Sequence, residues 1–568
     1  MRSLIRISGL LVFASAAFAQ PAMHFQVLGE HGSWPQILSS IGFQPSQGPA
    51  KLVVIRPGTP GGEDWIGRAE RGAFVILEGE SPAATLFGFR PTAKQVRVAG
   101  IEDARRPGLS IIWEKPLELP QYEIPPDARV FARERRSGAP VLAGVRRGAG
   151  AALWVITSPG EQGYERFPYL LQAASDLGLE APFRSSRLWA FFDYSYRTRV
   201  DLDYFATRWR ASGISAIHVA AWHFYDADRE RDLYLRNLIT ACHRNGVLVY
   251  AWLELPHVSE KFWNDHPEWR EKTAVMQDAH LDWRKLMNLT SRDCFRAVSA
   301  GVKSLLGRHD WDGANLGELY FESLEGAANP ARFTPMNGDV RAQFIRARGF
   351  DPRELFSTRK DPASLRAFLD FRAELARRMQ QDWIMELESV RRLRPNLDIV
   401  LTHVDDRFDT GMKDAIGADV ERVLPLLDQH DFTFLIEDPA TVWHLGPQRY
   451  PEIFRRYHPL TKHTGKLAID INVVDRYQDV YPTKQQTGSE LFQLVNLASR
   501  AFARVALYFE NSLQVQDLTL LPASAANVNS AEVSGTRWSI DSDYGVGVSW
   551  LGPVAVDGKP WPVSNGTT

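Results

Sequence analysis

The sequence predicts an α/β protein built around a (β/α)8 barrel, or TIM barrel, over residues 187–512. The chain has 568 residues, several times the ~100–200 residues of a typical domain. Hydrophobic residues make up 44% and charged residues 24%, which is ordinary globular composition. Strand-like and helix-like runs alternate along most of it. We also predict a doubly wound α/β domain over 24–183 and a short β-rich segment over 513–568.

The first residues have the layout of a secretory signal peptide. Two arginines lie among the first six residues, an apolar run begins at Leu10, and a small-x-small triplet over 17–19 precedes Gln20. We expect residues 1–19 to be cleaved after Ala19, which predicts a secreted or periplasmic protein. The apolar run is too short to span a bilayer and no stretch of 18 apolar residues follows it, so we expect no integral membrane segment after cleavage.

Charge and cysteine content exclude several functions. Lys and Arg number 66 and Asp and Glu 68, a formal net charge of −2, so no global field would attract nucleic acid or an anionic membrane. Cys242 and Cys294 are too few for a disulfide framework and are interpreted as buried small hydrophobic residues. No phosphate-binding loop, Rossmann fingerprint or Gly-x-Ser-x-Gly elbow is present, and the histidines lack ligand spacing. We therefore expect no cofactor and no metal.

The region 24–183 alternates between strand-like runs such as KLVVIRPG and AFVILEG and helix-like runs such as EDWIGRAERG. Its end, PVLAGVRRGAGAALWVIT followed by FPYLLQAASDLGL, resembles the closing strands and helix of class I glutamine amidotransferase-like domains. Such domains accompany some bacterial β-galactosidases and related barrels. The resemblance implies a nucleophilic Cys at a strand-to-helix elbow, and this region contains no Cys. We therefore predict a structural or docking domain without amidotransferase chemistry.

Eight strand-like runs with amphipathic runs between them predict the barrel. The strand-like runs are RLWAFFDYSY at 187, ISAIHVAAWHF at 214, VLVYAWLEL at 247, WDGANLGELYFE at 311, DIVLTHVDD at 398, DFTFLIEDP at 431, LAIDINVVD at 467 and ARVALYFEN at 503. The largest insertions follow the third run (256–290) and the fourth (323–365). Both would emerge at the C-terminal face, where barrels bind substrates.

Most of these runs end in a carboxylate or an aromatic residue, and in a barrel such ends converge. Converging carboxylates with Trp and Tyr are the equipment of glycoside hydrolysis, where one carboxyl protonates the leaving oxygen and another attacks the sugar or activates water. The candidate catalytic residues are Glu318, Glu437 and Asp470. The candidate substrate-binding residues are Asp193, Tyr194, Trp222, His223, Trp252, Glu254, Glu322, His403, Asp405, Asn472 and Glu510.

Three passages resemble glycosyl-hydrolase-like barrels distantly related to α-amylases and α-galactosidases. They are VLVYAWLEL with the later HPEW and LMNL, the fourth run WDGANLGELYFE, and the helix-like segment SLRAFLDFRAELARRMQQDWIMELESVRRLRPNLDIVL. The resemblance implies catalytic carboxylates at the end of strand four. At the position of the family's nucleophilic Asp this chain has Gly317, and Glu318 follows it.

This departure leaves two functions open. Glu318, aimed inward by a bulge, would be a catalytic acid with Glu437 as its partner, or else Asp470 or Asp405. The protein would then be an exported glycoside hydrolase acting on a polysaccharide or oligosaccharide. Without a nucleophile, it would be a non-catalytic carbohydrate-binding relative of such hydrolases.

Overall fold

The computed structural model describes residues 3–9, 23–223, 226, 228–281, 284–323, 325–438, 440–474, 484–534, 537–550, 553–561 and 566–567. They form two compact units. The first comprises Met1–Ser186, Gln485–Ser499 and Leu513–Thr568, and the second Arg187–Lys484 and Arg500–Ser512. Of the predicted signal peptide, Ser3–Gly9 forms a strand and the rest lies outside the described residues. No described helix is long and apolar enough to cross a membrane.

The N-terminal part of the first unit is an α/β structure around a nine-stranded mixed sheet. Its strands and helices, with the flanking β1 and β11, are β1 (Ser3–Gly9), β2 (His24–Leu28), α1 (Trp34–Ser39), β3 (Gln44–Pro45), β4 (Leu52–Ile55), α2 (Trp65–Glu70), β5 (Phe74–Glu78), α3 (Pro82–Leu86), β6 (Arg90–Asp103), β7 (Ser110–Glu123), β8 (Arg129–Glu134), β9 (Pro140–Arg147), β10 (Gly150–Val155), α4 (Leu170–Asp176) and β11 (Phe183–Arg184). The sheet order is β3-β2-β4-β5-β10-β9-β8-β6-β7.

Only half of this sheet has the parallel order expected of a doubly wound domain. Strands β3, β2, β4, β5 and β10 are parallel, whereas β9, β8, β6 and β7 are joined by antiparallel pairings. The antiparallel half contains the hairpin of β6 and β7, two strands of 14 residues each. Many residues of that hairpin are exposed, so its sequence lacks the continuous apolar runs that mark buried parallel strands. The prediction missed the hairpin for this reason.

The second unit contains a closed barrel of eight parallel strands, as the sequence predicts. Its strands, together with a small hairpin of β15 and β16, are β12 (Leu188–Phe192), β13 (Ile214–Ala220), β14 (Leu248–Glu254), β15 (His280–Leu281), β16 (Arg284–Lys285), β17 (Gly313–Gly317), β18 (Asp398–Val404), β19 (Thr433–Glu437), β20 (Leu467–Asn472) and β21 (Arg504–Tyr508). Each of the eight predicted runs supplies one barrel strand, in chain order.

Helices alternate with the barrel strands. They are α5 (Leu202–Ala211), α6 (Arg229–Arg244), α7 (Glu260–Asp265), α8 (Arg292–Arg308), α9 (Gly338–Arg348), α10 (Pro362–Arg391), α11 (Gly411–Ile416), α12 (Val420–Val423), α13 (Arg449–Tyr457) and α14 (Gly488–Ala501). Aspartates cap several of them, for example Asp228 on α6 and Asp361 on α10, by accepting backbone N–H groups of the first turn. Cys242 and Cys294 are buried free thiols, as predicted.

The interior of the barrel below its mouth is filled. The imidazole of His218 stacks on Tyr250 with ring centroids 4.7 Å apart, and its Nδ1 lies 3.0 Å from Nδ2 of Asn315. Oγ1 of Thr402 donates to Oδ1 of Asn315 at 2.8 Å. This layer of side chains occupies the barrel interior below the C-terminal ends of the strands, where barrels bind their ligands.

The two long insertions pair with each other above the strands. The N–H of Ala274 donates to the carbonyl of Phe333, and the N–H of Met336 donates to the carbonyl of Lys272. A separate hydrophobic cluster, which includes Phe333 and Phe344, joins both insertions to the first half of α10. The insertions therefore form a folded layer rather than loose loops.

The C-terminal residues of the first unit form further strands, where the sequence predicts a β-rich segment. These elements are α15 (Leu521–Ser524), β22 (Val528–Ser534), β23 (Arg537–Ser542), β24 (Gly547–Trp550), β25 (Val554–Val556), β26 (Lys559–Pro560) and β27 (Gly566–Thr567). They form sheets of order β22-β23-β1-β25-β26 and β11-β24-β27.

Candidate active site

One buried arginine gathers three of the predicted carboxylates. Arg284 lies on β16 in the first insertion, and its side chain is 8% exposed. Its Nε lies 3.3 Å from Glu254 and its Nη1 lies 2.8 Å from Glu318. Nη1 also contacts the carboxylate of Glu322. The ends of strands three and four are thus linked through a cation that the insertion supplies.

Glu318 has an unusual backbone conformation. It follows the last residue of β17 with φ of 51°, in the left-handed region that non-glycine residues rarely occupy. Such strain costs on the order of 1–3 kcal/mol and persists only where the surroundings enforce it. The turn ends the strand alternation at Gly317, and the Glu318 side chain reaches Arg284. The sequence suggests a bulge at this strand end, whereas the structure has a left-handed turn at Glu318.

A second carboxylate pair lies on strands six and seven. Glu437 and Asp470 are register partners across β19 and β20, and both point toward the barrel axis with Asn472. Burial and the charge of Glu318 raise the pKa of Glu437 to about 8, while a hydrogen bond with Asn472 opposes the rise. Burial and the charge of Glu437 hold the pKa of Asp470 well above its ordinary value. At neutral pH Glu437 is therefore mostly protonated, and the same burial disfavours the charged form of Asp470.

The two groups of carboxylates are close enough to affect each other. The charge of Glu318 raises the pKa of Glu437. The pKa of Tyr320 is raised mainly by burial, and the charges of Glu318 and Glu437 raise it further. Burial and the charge of Glu318 raise the pKa of Glu254 as well. Four predicted carboxylates, Glu254, Glu318, Glu437 and Asp470, thus form one electrostatically coupled set at the C-terminal mouth.

Strand one contributes to the same set. Asp193 follows β12, accepts a hydrogen bond from the backbone N–H of Ser195, and raises the pKa of Glu254. The ring of Tyr194 lies 6.3 Å from that of His223. Burial and the charge of Arg231 lower the pKa of His223 to about 4, so this imidazole is neutral at physiological pH.

The two predicted tryptophans differ in accessibility. Trp252 is 5% exposed and packs edge to face against Phe191, Tyr508 and Trp222 at centroid distances of 5.1, 5.8 and 5.5 Å. Trp222 is partly exposed, and its ring lies 5.9 Å from that of His257. A sugar ring needs an open aromatic face, so Trp222 is the candidate platform and Trp252 is the floor beneath it.

Three predicted site residues are held in other networks. His403 packs against Phe434 and lies 3.4 Å from Asp406. Asp405 accepts hydrogen bonds from the Tyr457 hydroxyl at 2.8 Å and from two backbone N–H groups. His403 alternates with the inward-facing Thr402, so it points away from the barrel axis. We leave both residues out of the candidate site.

Glu510 is the third of these residues. Its Oε1 accepts hydrogen bonds from Nε1 of Trp209 at 2.9 Å and from Arg208 at 3.2 Å. These partners belong to α5, so the carboxylate ties the last strand to the first helix. A buried carboxylate with these partners has a structural role, and we leave it out of the site too.

Sequence reasoning missed Arg284 and Tyr320. The position of Arg284 in the site could not be predicted, because Arg284 lies on a short hairpin in an insertion, where no strand or helix periodicity indicates the direction of a side chain. Its position inside the mostly apolar run LDWRKLMNL was the only available signal. Among the residues that the structure describes, no group of three or more His, Cys, Asp or Glu side chains could hold a metal ion.

Comparisons with known proteins found solved structures of glycoside hydrolases at low identity. No family model matches the chain, and no curated protein matches it. The PgaB (BpsB) glycoside hydrolase domain from Bordetella bronchiseptica is 13% identical over 57% of this chain and 93% of its own, with a TM-score of 0.40. A β-galactosidase from Marinomonas ef1 is 11% identical over 60% of this chain and 59% of its own, with a TM-score of 0.45. α-L-Fucosidase isoenzyme 2 from Paenibacillus thiaminolyticus is 14% identical over 60% of this chain and 49% of its own, with a TM-score of 0.38.

Proposed function

We propose that this protein is an exported glycoside hydrolase that acts on a polysaccharide or oligosaccharide, with Glu437 and Glu318 as its catalytic pair. One observation carries the proposal: Glu318 lies 2.8 Å from the guanidinium of Arg284, whereas Glu437 is buried beside Asn472 and its pKa is raised to about 8. Glycoside hydrolysis needs one protonated and one ionised carboxyl beside the same bond.

Glu437 is the candidate general acid. With a pKa raised to about 8 by burial and by Glu318, it carries a proton at neutral pH. A proton donor with a pKa near the working pH transfers its proton most effectively to the leaving oxygen. Asp470 supports this role, since a neighbouring carboxyl disfavours a second negative charge.

Glu318 is the candidate nucleophile or base. Burial raises the pKa of Glu318, and the charge of Arg284, whose guanidinium lies 2.8 Å from the carboxylate, offsets part of that rise. This contact favours the ionised form, which either attacks the anomeric carbon or activates a water. Glu318 therefore takes a different role from the acid that the sequence suggested.

The remaining mouth residues would bind the sugar. Trp222 offers a partly exposed ring for stacking, and Asp193, Glu254 and Asn472 offer polar atoms close to the candidate catalytic pair. The signal-peptide layout at the N terminus supports export. The absence of Cys from 24–183 supports a non-catalytic role for the amidotransferase-like region.

The test is a screen of bacterial exopolysaccharides and plant glycans for release of reducing ends. On the substrate so found, Glu318→Gln and Glu437→Gln should each lose ~10²–10⁴-fold in rate while retaining affinity. Asp405→Asn is the matched control, because it alters a buried strand-end carboxylate outside the candidate site and should keep its rate.

Two outcomes would contradict the proposal. Equal turnover by wild type and Glu318→Gln would remove Glu318 from the mechanism. Saturable binding without turnover on every glycan would favour the non-catalytic carbohydrate-binding alternative.

A further inference from the structure

The chain between Glu318 and Ser323 is buried but has no regular secondary structure. Leu319 is fully buried, and Tyr320 and Phe321 are 6% and 1% exposed. Peptide groups in such a segment must find hydrogen-bond partners away from water, since an unpaired buried group costs about 1–3 kcal/mol. The partners of this segment therefore determine its path.

Two side chains of one helix supply the partners of two carbonyls in this segment. Nε2 of Gln380 donates to the carbonyl of Leu319 at 2.9 Å. Nη2 of Arg372 donates to the carbonyl of Phe321 at 3.3 Å. Residues eight apart on a helix share a face, so α10 presents both donors to the same segment.

Both of these polar side chains are buried. Arg372 is 0% exposed and Gln380 is 1% exposed on a helix face otherwise lined by apolar residues. Arg372 also donates to the carbonyls of Thr334 at 2.7 Å and Ala415 at 2.8 Å. One guanidinium thus joins the second insertion and the C-terminal end of α11 to α10.

The segment 318–322, which Gln380 and Arg372 hydrogen-bond, carries two of the carboxylates that contact Arg284. Glu318 precedes Leu319, and Glu322 follows Phe321. Glu318 holds a left-handed backbone that the surroundings must enforce, and the donors from α10 lie directly beyond it. Both carboxylates then reach the same guanidinium nitrogen.

We propose that Gln380 and Arg372 are positioning residues that fix the 318–322 backbone and thereby aim Glu318 at the reaction centre. This inference rests on the proposed function, since it assigns a role toward Glu318 as a catalytic group. Neither residue touches the candidate catalytic carboxylates directly. Their effect passes through two backbone carbonyls.

The test compares Gln380→Met with Ile384→Ala in the full chain. Met has a similar volume and no donor, so the Leu319 carbonyl loses its partner. Ile384 is buried on the same helix and its apolar side chain donates no hydrogen bond, so its truncation reports a purely structural loss. Each variant is assayed for kcat and KM on the glycan found by the screen. Each is also treated with a carbodiimide and glycine ethyl ester, and modification of Glu318 is measured by mass spectrometry against the exposed Glu102.

We expect Gln380→Met to lower kcat by ~10²-fold with KM changed less than ~3-fold, because a misplaced catalytic group loses rate rather than affinity. Modification of Glu318 should rise about threefold or more as the segment opens locally. Ile384→Ala should show neither change. Arg372→Lys keeps the positive charge but loses the several N–H donors of the guanidinium. It should change kcat and Glu318 modification in the same direction, and it replaces Gln380→Met in the test if that variant does not fold.

Values for Gln380→Met equal to those for Ile384→Ala would overturn the inference. Absence of turnover by the wild type would instead overturn the proposed function. The modification assay still decides the positioning role in that case, because it requires no substrate.

Discussion

The indole of Trp252 occupies the space that a side chain at Gly317 would need. A Cβ on Gly317 would lie 2.7 Å from Nε1 and 3.1 Å from Cδ1 of that ring. Position 317 is where the barrels that the sequence resembles carry a nucleophilic Asp. In this chain the buried ring of Trp252 leaves no room for a side chain at position 317. The carboxylate residue follows one position later, as Glu318.

Gly317→Ala should therefore destabilise the protein by ~1–3 kcal/mol, because the added methyl overpacks a buried site. Gly317→Asp should lose more stability and gain no turnover. Urea unfolding measures the free energy of unfolding of each variant. Gly307→Ala is the control: it lies in α8 with no atom within 4 Å of its Cβ position and should be neutral or stabilising. A Gly317→Ala variant as stable as wild type would show that Trp252 can move aside.

The raised pKa of Glu437 makes stability depend on pH. Its ordinary value of 4.5 applies to the unfolded chain, and burial with Glu318 raises it to about 8 in the folded protein. Below about pH 4.5 the group is protonated in both states and has no effect. Between these values the folded protein binds more protons, so its stability falls as pH rises.

Glu437→Gln should remove this loss, which amounts to at most ~1.4 kcal/mol per pH unit within the window. The measurement is the free energy of unfolding from pH 4.5 to 8 for wild type and variant. Glu452→Gln is the control, since a hydrogen bond from Arg455 lowers the pKa of that partly exposed carboxyl and no loss of this sign is expected. Parallel curves for wild type and Glu437→Gln would show that Glu437 titrates normally.

Arg284 balances charge among three carboxylates. Arg284→Met leaves Glu254, Glu318 and Glu322 without their cation and should cost ~3–5 kcal/mol at pH 7. Acidification to pH 4 protonates carboxyls in both folded and unfolded states, so the cost should shrink there.

Unfolding of Arg284→Met at the two pH values measures this difference. Arg407→Met removes the partner of Glu421 from a largely exposed pair 2.7 Å apart and should cost no more than ~1 kcal/mol at either pH. A cost for Arg284→Met that does not change with pH would mean that packing, rather than charge, explains the role of Arg284.

The sequence predicted the barrel because each strand is a local apolar run with its own helix partner. All eight runs, from Leu188 to Tyr508, became strands in order. Strand-end residues such as Glu254, Glu437 and Asp470 could be placed at the mouth for the same reason: in a parallel barrel the end of the run fixes the end of the strand.

Contacts made by irregular segments could not be predicted. Arg284 reaches the mouth from an insertion, and the left-handed turn at Glu318 directs that side chain independently of the strand alternation. Glu510 and Asp405 occupy predicted positions on the chain, yet Trp209 and Tyr457 on neighbouring helices hold their carboxylates. Such pairings depend on how helices pack over the sheet, which no spacing rule encodes.

The separate roles of Glu437 and Glu318 can be distinguished by the leaving group. A general acid is needed only when the departing oxygen is a poor leaving group, as in a natural glycan. In a dinitrophenyl glycoside of the sugar that the screen identifies, the leaving group is dinitrophenolate, which departs without needing a proton. Glu437→Gln should therefore lose ~10²–10⁴-fold on the glycan and retain most of its rate on the dinitrophenyl glycoside.

Glu318→Gln should instead lose rate on both substrates, because a nucleophile or base is needed whatever the leaving group. The measurement is kcat/KM of wild type and both variants on the two substrates. The reverse pattern, with Glu318→Gln rescued by the dinitrophenyl leaving group, would make Glu318 the acid despite its contact with Arg284 at 2.8 Å. Loss on both substrates by both variants would mean that Glu437 acts on the sugar ring and not on the leaving oxygen.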